Sequence, residues 1–171
     1  MKTAEEVHEH AEHARAPFDK RVAATMAAIA AALAVVAVFG HLMTTEELLN
    51  QQKASDQWSY YQAKNMRRYE SEIARDIMAA VRGAKEGDYQ KNAERYRKEA
   101  DDIQDIAQKY EEESHLAGRQ ALRLHIGEIF LEIGIVFASL AILTKRESIW
   151  LLAIFASAAG LLLAATTLTI H

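Results

Sequence analysis

Three long apolar runs interrupt an otherwise charged chain. Residues 22–43 carry no charge except a proton that His41 can accept, and residues 149–170 carry none. The run at 122–143 is equally long but includes one arginine and two glutamates. Each run matches the ~20 residues that a helix needs to cross ~30 Å of hydrocarbon. The pattern predicts a transmembrane helix at each place; a buried helix of a soluble protein is the alternative for 122–143.

The segment between the first two runs, residues 44–121, is strongly charged and contains no proline. The best turn signal in it is RGAKEGD, whose two glycines lie at a predicted tip spanning 83–88. Asp88 is the predicted N-cap of the returning helix. The arms on either side, 44–82 and 88–121, have similar lengths. The segment is therefore predicted to form one long antiparallel helical hairpin.

The returning arm carries a heptad repeat. Large residues recur every seven positions and small residues follow four positions after each: Tyr89, Tyr96, Ile103, Tyr110 and Ala117, then Ala93, Ala100, Ala107, Ser114 and Ala121. This alternation is typical of a coiled-coil seam in which alanines permit close approach. The outgoing arm is predicted to pack against this seam with a less regular set of residues, which Glu70 interrupts: Ala63, Met66, Ile73, Ile77, Ala80 and Ala84.

Basic residues beside the spans predict the orientation, because lysine and arginine favour the cytoplasmic side. Lys20 and Arg21 adjoin the first span, and a second basic pair lies in the turn 144–148. The leader 1–21 and this turn are then cytoplasmic. The hairpin 44–121 is extracytoplasmic, which in a Gram-negative cell means the periplasm. The predicted fold class is an all-α integral membrane protein of the bacterial inner membrane, with three spans and a coiled-coil-like hairpin.

Aromatic residues cluster on the outgoing arm, ~20 Å beyond the first span by helical rise. Trp58 and Tyr61 share one face of the helix, whereas Tyr60 lies on another. One aromatic face suffices for packing against the returning arm. The second favours a contact between subunits, because aromatic side chains anchor interfaces. The predicted interface residues are Trp58, Tyr60, Tyr61, Tyr89, Tyr96, Tyr110 and, among the small residues of the third span, Gly160.

Two segments resemble a known family. They are NQQKASDQWSYYQAKNMR at 50–67 and the His/Glu-rich EEVHEHAEHARAPFDKRVA, which leads into the first span. Both resemble an uncharacterised bacterial three-span membrane-protein family, a domain of unknown function with an ASDQWxYYQAK-like motif. The resemblance implies a three-span topology. It implies no activity and no site residues.

Ionisable residues share one face of the middle run: His125, Glu128 and Glu132, at spacings of three and four. His41 of the first span is predicted to lie near the depth of Glu128. A carboxylate in hydrocarbon is costly and suggests a function. Two interpretations stay open. The glutamates either form hydrogen bonds only, within or between subunits, or they line a proton or cation path, which three spans can enclose only as an oligomer.

Other chemistry has little support. His8, His10 and His13 of the leader are weak candidates for metal ligands, since a solvated tail has the same composition. No metal or cofactor is predicted. The chain has no cysteine, no phosphate-binding loop and no HExxH motif, which argues against an enzyme. The segment 44–121 holds 16 acidic and 13 basic residues, which argues against nucleic acid as a partner.

The sequence therefore favours a non-enzymatic scaffold or accessory subunit in the membrane. The predicted partners are membrane lipid, further copies of the chain and a larger membrane complex. Association is expected through the hairpin and through the small-residue faces of the spans. Conduction of protons or cations by an oligomer is the alternative function.

Overall fold

The structure is a computed structural model that describes residues 17–81 and 85–169, and the backbone alone of residues 4–16. Its regular elements in those ranges are all helical: α1 is Ala4–Ala80, α2 is Glu86–Thr144, α3 is Glu147–Ala165, and a 3-10 turn follows at Thr166–Thr169. Three helical segments are long and apolar enough to cross a membrane: Pro17–Ala80, Glu86–Thr144 and Glu147–Thr169. The predicted all-α class is confirmed.

Helix α2 begins earlier than the sequence suggested. Its first residue is Glu86. The backbone N–H groups of Asp88 and Tyr89 donate to the carbonyl oxygen of Lys85, at 3.1 and 3.3 Å. Asp88 therefore lies inside the first turn, and its prediction as N-cap is wrong. Two carboxylates in this turn still suit the unpaired N–H groups there. Residues 82–84 of the RGAKEGD segment lie outside the described residues.

The chain divides into two compact units. Unit 1 comprises Met1–Thr44 and Gly118–His171, and unit 2 comprises Thr45–Ala117. The three apolar runs thus belong to unit 1. The strongly charged segment belongs almost entirely to unit 2.

At the end of unit 1 where α2 connects to α3, contacts hold all three helices together. Lys145 and Arg146 alone connect α2 to α3, and Lys145 adopts a left-handed backbone with φ of 55°. Its ammonium group forms an ion pair with Asp19 of α1. The rings of Phe18 and Trp150 meet edge to face with centroids 6.2 Å apart. This two-residue connection lies within the predicted turn 144–148.

Glycines bring α2 and α3 into close contact. A Cβ atom added at Gly160 would lie 2.7 Å from the carbonyl oxygen of Gly127. One added at Gly134 would overlap the hydroxyl of Ser157. Small residues let helices pack this way in lipid. The face of α3 that contains Gly160 is therefore occupied inside the chain, so it is not left open for a neighbouring subunit.

In unit 2, the returning arm turns its predicted face inward. Its buried residues follow the seven-residue spacing: Ala93, Ala100, Ile103, Ala107, Ser114 and Ala117. The two arms contact each other in opposite chain order. Ser114 donates to the carbonyl oxygen of Glu47, Trp58 donates to Glu111, and Lys64 pairs with Glu99.

The outgoing arm is rotated about its helix axis relative to the prediction, so the prediction of its inward-facing residues is wrong. Met66, Ile73 and Ile77 are 62, 60 and 54% exposed. Together with the exposed Ala63 and Ala80 they form a surface that we name the outer stripe. Ala84 lies outside the described residues. The residues turned inward are mostly polar: Asn50, Ala54, Lys64, Arg68 and Ser71, all buried or half-buried.

This inversion has a physical reason. The alanines of α2 leave a shallow surface, over which long aliphatic stems can lie while their charged ends remain solvated. Tyrosine rings hold those ends. The Lys64 ammonium lies 5.6 Å from the Tyr96 ring centroid, and the Lys53 ammonium lies 5.2 Å from that of Tyr110. Contacts between cations and tyrosine rings thus occur where aliphatic packing was expected.

Candidate functional site

A cluster of polar side chains joins α1 to α2 within unit 1. It consists of His41, Thr44, His125 and Glu128, which we name the polar cluster. Nε2 of His125 lies 3.1 Å from Oγ1 of Thr44, and its Nδ1 lies 3.2 Å from Oε2 of Glu128. The His41 and His125 rings meet edge to face with centroids 6.4 Å apart. The cluster lies at the end of the first apolar run.

Gly40 makes room for this arrangement. A Cβ atom added there would lie 3.2 Å from Cε1 of His125, tighter than an ordinary contact. The Gly40 carbonyl oxygen also accepts a hydrogen bond of 3.0 Å from Thr44. The glycine thus admits the His125 ring and orients the hydroxyl that meets it.

The His125 ring lies at the centre of the polar cluster. The Thr44 hydroxyl lies within hydrogen-bond distance of both the Gly40 carbonyl oxygen and Nε2 of His125, and Nδ1 of the same ring lies beside Glu128. Each ring nitrogen can donate or accept a hydrogen bond, depending on the tautomer. The ring therefore links Thr44 of α1 to Glu128 of α2.

The structure assembles only part of the predicted polar face. His125 and Glu128 come together and the His41 ring contacts the ring of His125, but Glu132 is exposed and takes part in none of the cluster's hydrogen bonds. The sequence reasoning missed Thr44. Its position three residues after His41, where the apolar run ends, was the signal that could have found it.

A second candidate site surrounds Trp58 in unit 2. The indole N–H donates to Oε1 of Glu111 at 2.8 Å, and the ring meets Tyr61 edge to face at 5.4 Å. This face packs on the returning arm, as one aromatic face was expected to do. Tyr60, on the other face, is 52% exposed. It still contributes inside the chain, because the Lys64 ammonium lies 5.2 Å from its ring centroid.

Lys64 and Glu99 form the central ion pair between the arms. The hydrogen bond that Lys64 donates to Glu99 raises the pKa of Lys64 above its usual value. The same bond lowers the pKa of Glu99. Lys64 is 14% exposed at its side chain and contacts Tyr60 and Tyr96 as well. Tyr96 and Tyr110 therefore pack against cations of their own chain; Tyr89 is half-buried.

The described residues provide no candidate site for a metal ion. In residues 17–81 and 85–169, the side chains of His, Asp and Glu form no group of three or more placed to hold a metal ion. The leader residues His8, His10 and His13 lie outside the residues whose side chains the structure describes.

These features define an all-helical protein with three helical segments long and apolar enough to cross a membrane. Residues 18–170 match the family model of a domain of unknown function, DUF4337, and the chain belongs to this family. The predicted membership of an uncharacterised family is thereby confirmed. The motif and the leader stay predictions as family markers. Comparison with curated proteins gives no match, and comparison with solved structures gives none either.

Proposed function

We propose that this chain is an integral protein of the bacterial inner membrane, with three transmembrane helices and an antiparallel, coiled-coil-like hairpin in the periplasm. Large apolar side chains on the outside of unit 1 support insertion, since lipid would cover them. Examples are Val38, Phe155 and Leu162, which are 58, 74 and 71% exposed. Leaving such surface in water costs ~25 cal/mol for each Å².

An apolar groove supports lipid as a partner. It has a volume of about 570 Å³ and is lined by all three helical segments of unit 1, with Phe39, Leu124 and Leu161 among its walls. A hydrocarbon chain fits walls of this kind.

The orientation can be tested with single cysteines, because the chain has none of its own. Glu86→Cys should react with a membrane-impermeant maleimide once the outer membrane is opened. Glu147→Cys, the matched control beside the turn, should react only after the inner membrane is opened as well. The reverse pattern would overturn the proposed topology.

Within that membrane, we infer that the protein is a non-enzymatic, oligomeric scaffold or an accessory subunit of a larger complex. The outer stripe is the observation that supports this proposal most. It exposes Met66, Ile73 and Ile77 in unit 2, outside the apolar runs that lipid would cover. Exposed apolar patches of this kind mark protein interaction sites. Native mass spectrometry in mild detergent tests the proposal, and a strict monomer without any co-purifying protein would refute it.

Proton or cation conduction by an oligomer is the second candidate. The polar cluster favours it, because a hydrogen bond of 3.2 Å joins two side chains of ionisable type, His125 and Glu128. Liposomes containing the wild-type protein should then dissipate a pH gradient faster than empty ones. Glu128→Gln keeps the shape and hydrogen bonding but removes the titration, so it should abolish the flux. Glu132→Gln serves as the comparison at an exposed carboxylate. Wild-type liposomes that leak no faster than empty ones would end this candidate.

A further inference from the structure

We propose that a second apolar groove of unit 1 binds an acyl chain of an anionic phospholipid, whose phosphate group contacts basic residues at one end of that groove. The proposal rests on the membrane insertion proposed above, and it adds the class of lipid and the place where that lipid binds. It does not depend on which side of the membrane this end of unit 1 faces.

The second groove lies between α1 and α2. It has a volume of about 700 Å³, and apolar side chains form most of its walls: Met26, Ile135, Val136, Leu140, Ile142 and Leu143. Among its described lining residues, Ser139 is the only polar one. The lining from Ile135 to Leu143 follows α2 for ~12 Å by helical rise. One leaflet contains ~15 Å of hydrocarbon, so the groove can hold most of the length of one acyl chain.

Basic residues lie at one end of this groove. On α2 its lining ends just before Lys145 and Arg146, and on α1 Lys20 precedes Met26 by six residues. The ammonium group of Lys145 forms an ion pair with Asp19. Because Asp19 and Met26 are seven residues apart, they share one face of α1. The connection between α2 and α3 therefore contacts α1 on the side where the groove lies.

This end of unit 1 has a net positive charge. Among residues 18–21 and 144–150, four side chains are basic and two are acidic: Lys20, Arg21, Lys145 and Arg146, with Asp19 and Glu147. Asp19 is already paired with Lys145, and Glu147 lies in the first turn of α3, where a carboxylate suits the helix dipole. Lys20 and Arg146 are exposed. An acidic headgroup complements these two cations.

The distances along the helices fit a phospholipid. By helical rise, Lys20 lies ~9 Å from Met26. The headgroup layer outside the hydrocarbon of a bilayer is ~5–7 Å thick on each side. A chain whose glycerol end lies beside Met26 and Leu143 therefore places its phosphate near Lys20 and Arg146. Both side chains are long enough to reach it, because their stems can lie along apolar surface while the charged ends stay in the headgroup layer.

The groove of about 570 Å³ described above differs in this respect. Its polar lining residues are Gln120 and Thr167, which carry no charge. It therefore suits hydrocarbon without selecting a headgroup. Basic pockets between transmembrane helices, by contrast, bind acidic headgroups. Of these two grooves, the second is the one where charge selects an anionic lipid over a zwitterionic one.

Quenching of tryptophan fluorescence by brominated lipids tests the site. Both native tryptophans are replaced by phenylalanine, and Leu143→Trp is introduced as the reporter, since Leu143 lines the groove and is 80% exposed. In bilayers of phosphatidylcholine, brominated phosphatidylglycerol should bind beside this reporter about fivefold more tightly than brominated phosphatidylcholine, which is what one cation near an anionic surface contributes.

A second reporter provides the matched position. Leu151 of α3 lies near the same end of unit 1, is 59% exposed and does not line the groove. At Leu151→Trp the two brominated lipids should bind with nearly equal affinity. The same preference for phosphatidylglycerol at both reporters would overturn the proposal, because it indicates a diffuse attraction of acidic lipid to this whole end.

Neighbouring cations provide a matched pair of variants. Lys20→Gln combined with Arg146→Gln should abolish the preference at the Leu143→Trp reporter. Arg21→Gln should leave it unchanged, because Arg21 lies one helical turn before Thr25, which faces α3. Circular dichroism should show equal helix content, since all three cations are exposed. A preference that survives the loss of both Lys20 and Arg146 would refute their role.

The outcomes separate this inference from the insertion on which it rests. If alkaline carbonate releases the protein from membranes, insertion and the lipid site both fail. If the protein stays in the membrane and Leu143→Trp shows no lipid preference, only the site fails. Quenching of Leu143→Trp by neither brominated lipid would indicate that protein covers the groove, and it would also refute the site.

Discussion

Replacing Gly160 with alanine puts a methyl group where α2 and α3 are closest. The new Cβ would lie 2.7 Å from the Gly127 carbonyl oxygen and 2.9 Å from Cβ of Phe130. Ordinary contacts begin at 3.4 Å, so the backbones must separate by about 0.7 Å, the difference between 3.4 and 2.7. A gap of that size forfeits a quarter to a half of the dispersion energy between the facing atoms. Overpacking of this kind costs about 1–3 kcal/mol.

Alanine also stabilises a helix relative to glycine, by roughly 1 kcal/mol. Gly87→Ala measures this gain separately, because a Cβ atom added at Gly87 meets nothing within 4 Å. The free energy of unfolding of Gly160→Ala should therefore fall about 1–3 kcal/mol below that of Gly87→Ala. The measurement is unfolding by dodecyl sulfate in mixed micelles, followed by far-ultraviolet circular dichroism. If both variants are equally stable, the close approach of α2 and α3 at Gly160 is refuted.

The remaining predictions concern unit 2. Trp58→Phe should lower the free energy of unfolding by about 0.5–1.5 kcal/mol, because the exposed hydrogen bond to Glu111 is lost; an unchanged value from thermal circular dichroism would contradict this. Ala107→Leu should cost about 1–3 kcal/mol, because Ala107 is fully buried between the arms; a more stable variant would show that the arms are not closely packed. The ion pair of Lys64 and Glu99 should make stability depend on pH. Its lowered pKa means that Glu99 contributes above about 4.5 and loses the contribution as pH falls through the lower folded value. Lys64 contributes fully below 10.5 and loses the contribution as pH rises through its raised pKa. The difference in melting temperature between wild type and Lys64→Met should be constant between these limits and shrink outside them.

The inner face of α2 was predictable because its burial follows one chemical pattern. Alanine and larger residues repeat every seven positions; of those that carry this spacing, Ala93, Ala100, Ile103, Ala107 and Ser114 are buried, and Tyr96 and Tyr110 are half-buried. The helix class and the apolar runs were predictable for the same reason, since each depends on residues near one another in sequence. These predictions did not require knowing which helix packs against which.

The inner face of α1 could not be predicted from apolar spacing. The rule that apolar residues face inward selected Met66, Ile73 and Ile77, which are exposed. The correct face depends on the partner helix, whose Tyr96 and Glu99 both contact the ammonium group of Lys64. Thr44 was not predicted as a residue of the polar cluster for a similar reason. Its role arises from His125, 81 residues further along the chain.

The polar interior of unit 2 determines how its two arms separate. Their contact includes the ion pair of Lys64 and Glu99, the hydrogen bonds of Trp58 and Ser114, and cations on tyrosine rings, with alanines and Ile103 filling the space between. Opening it exposes less hydrocarbon than separating two leucine-lined helices would, so we expect a smaller change in heat capacity. Salt acts more strongly, because it screens charges near the surface within ~10 Å at 0.1 M. The ionic strength of the surrounding solution would therefore affect how firmly the two arms stay in contact.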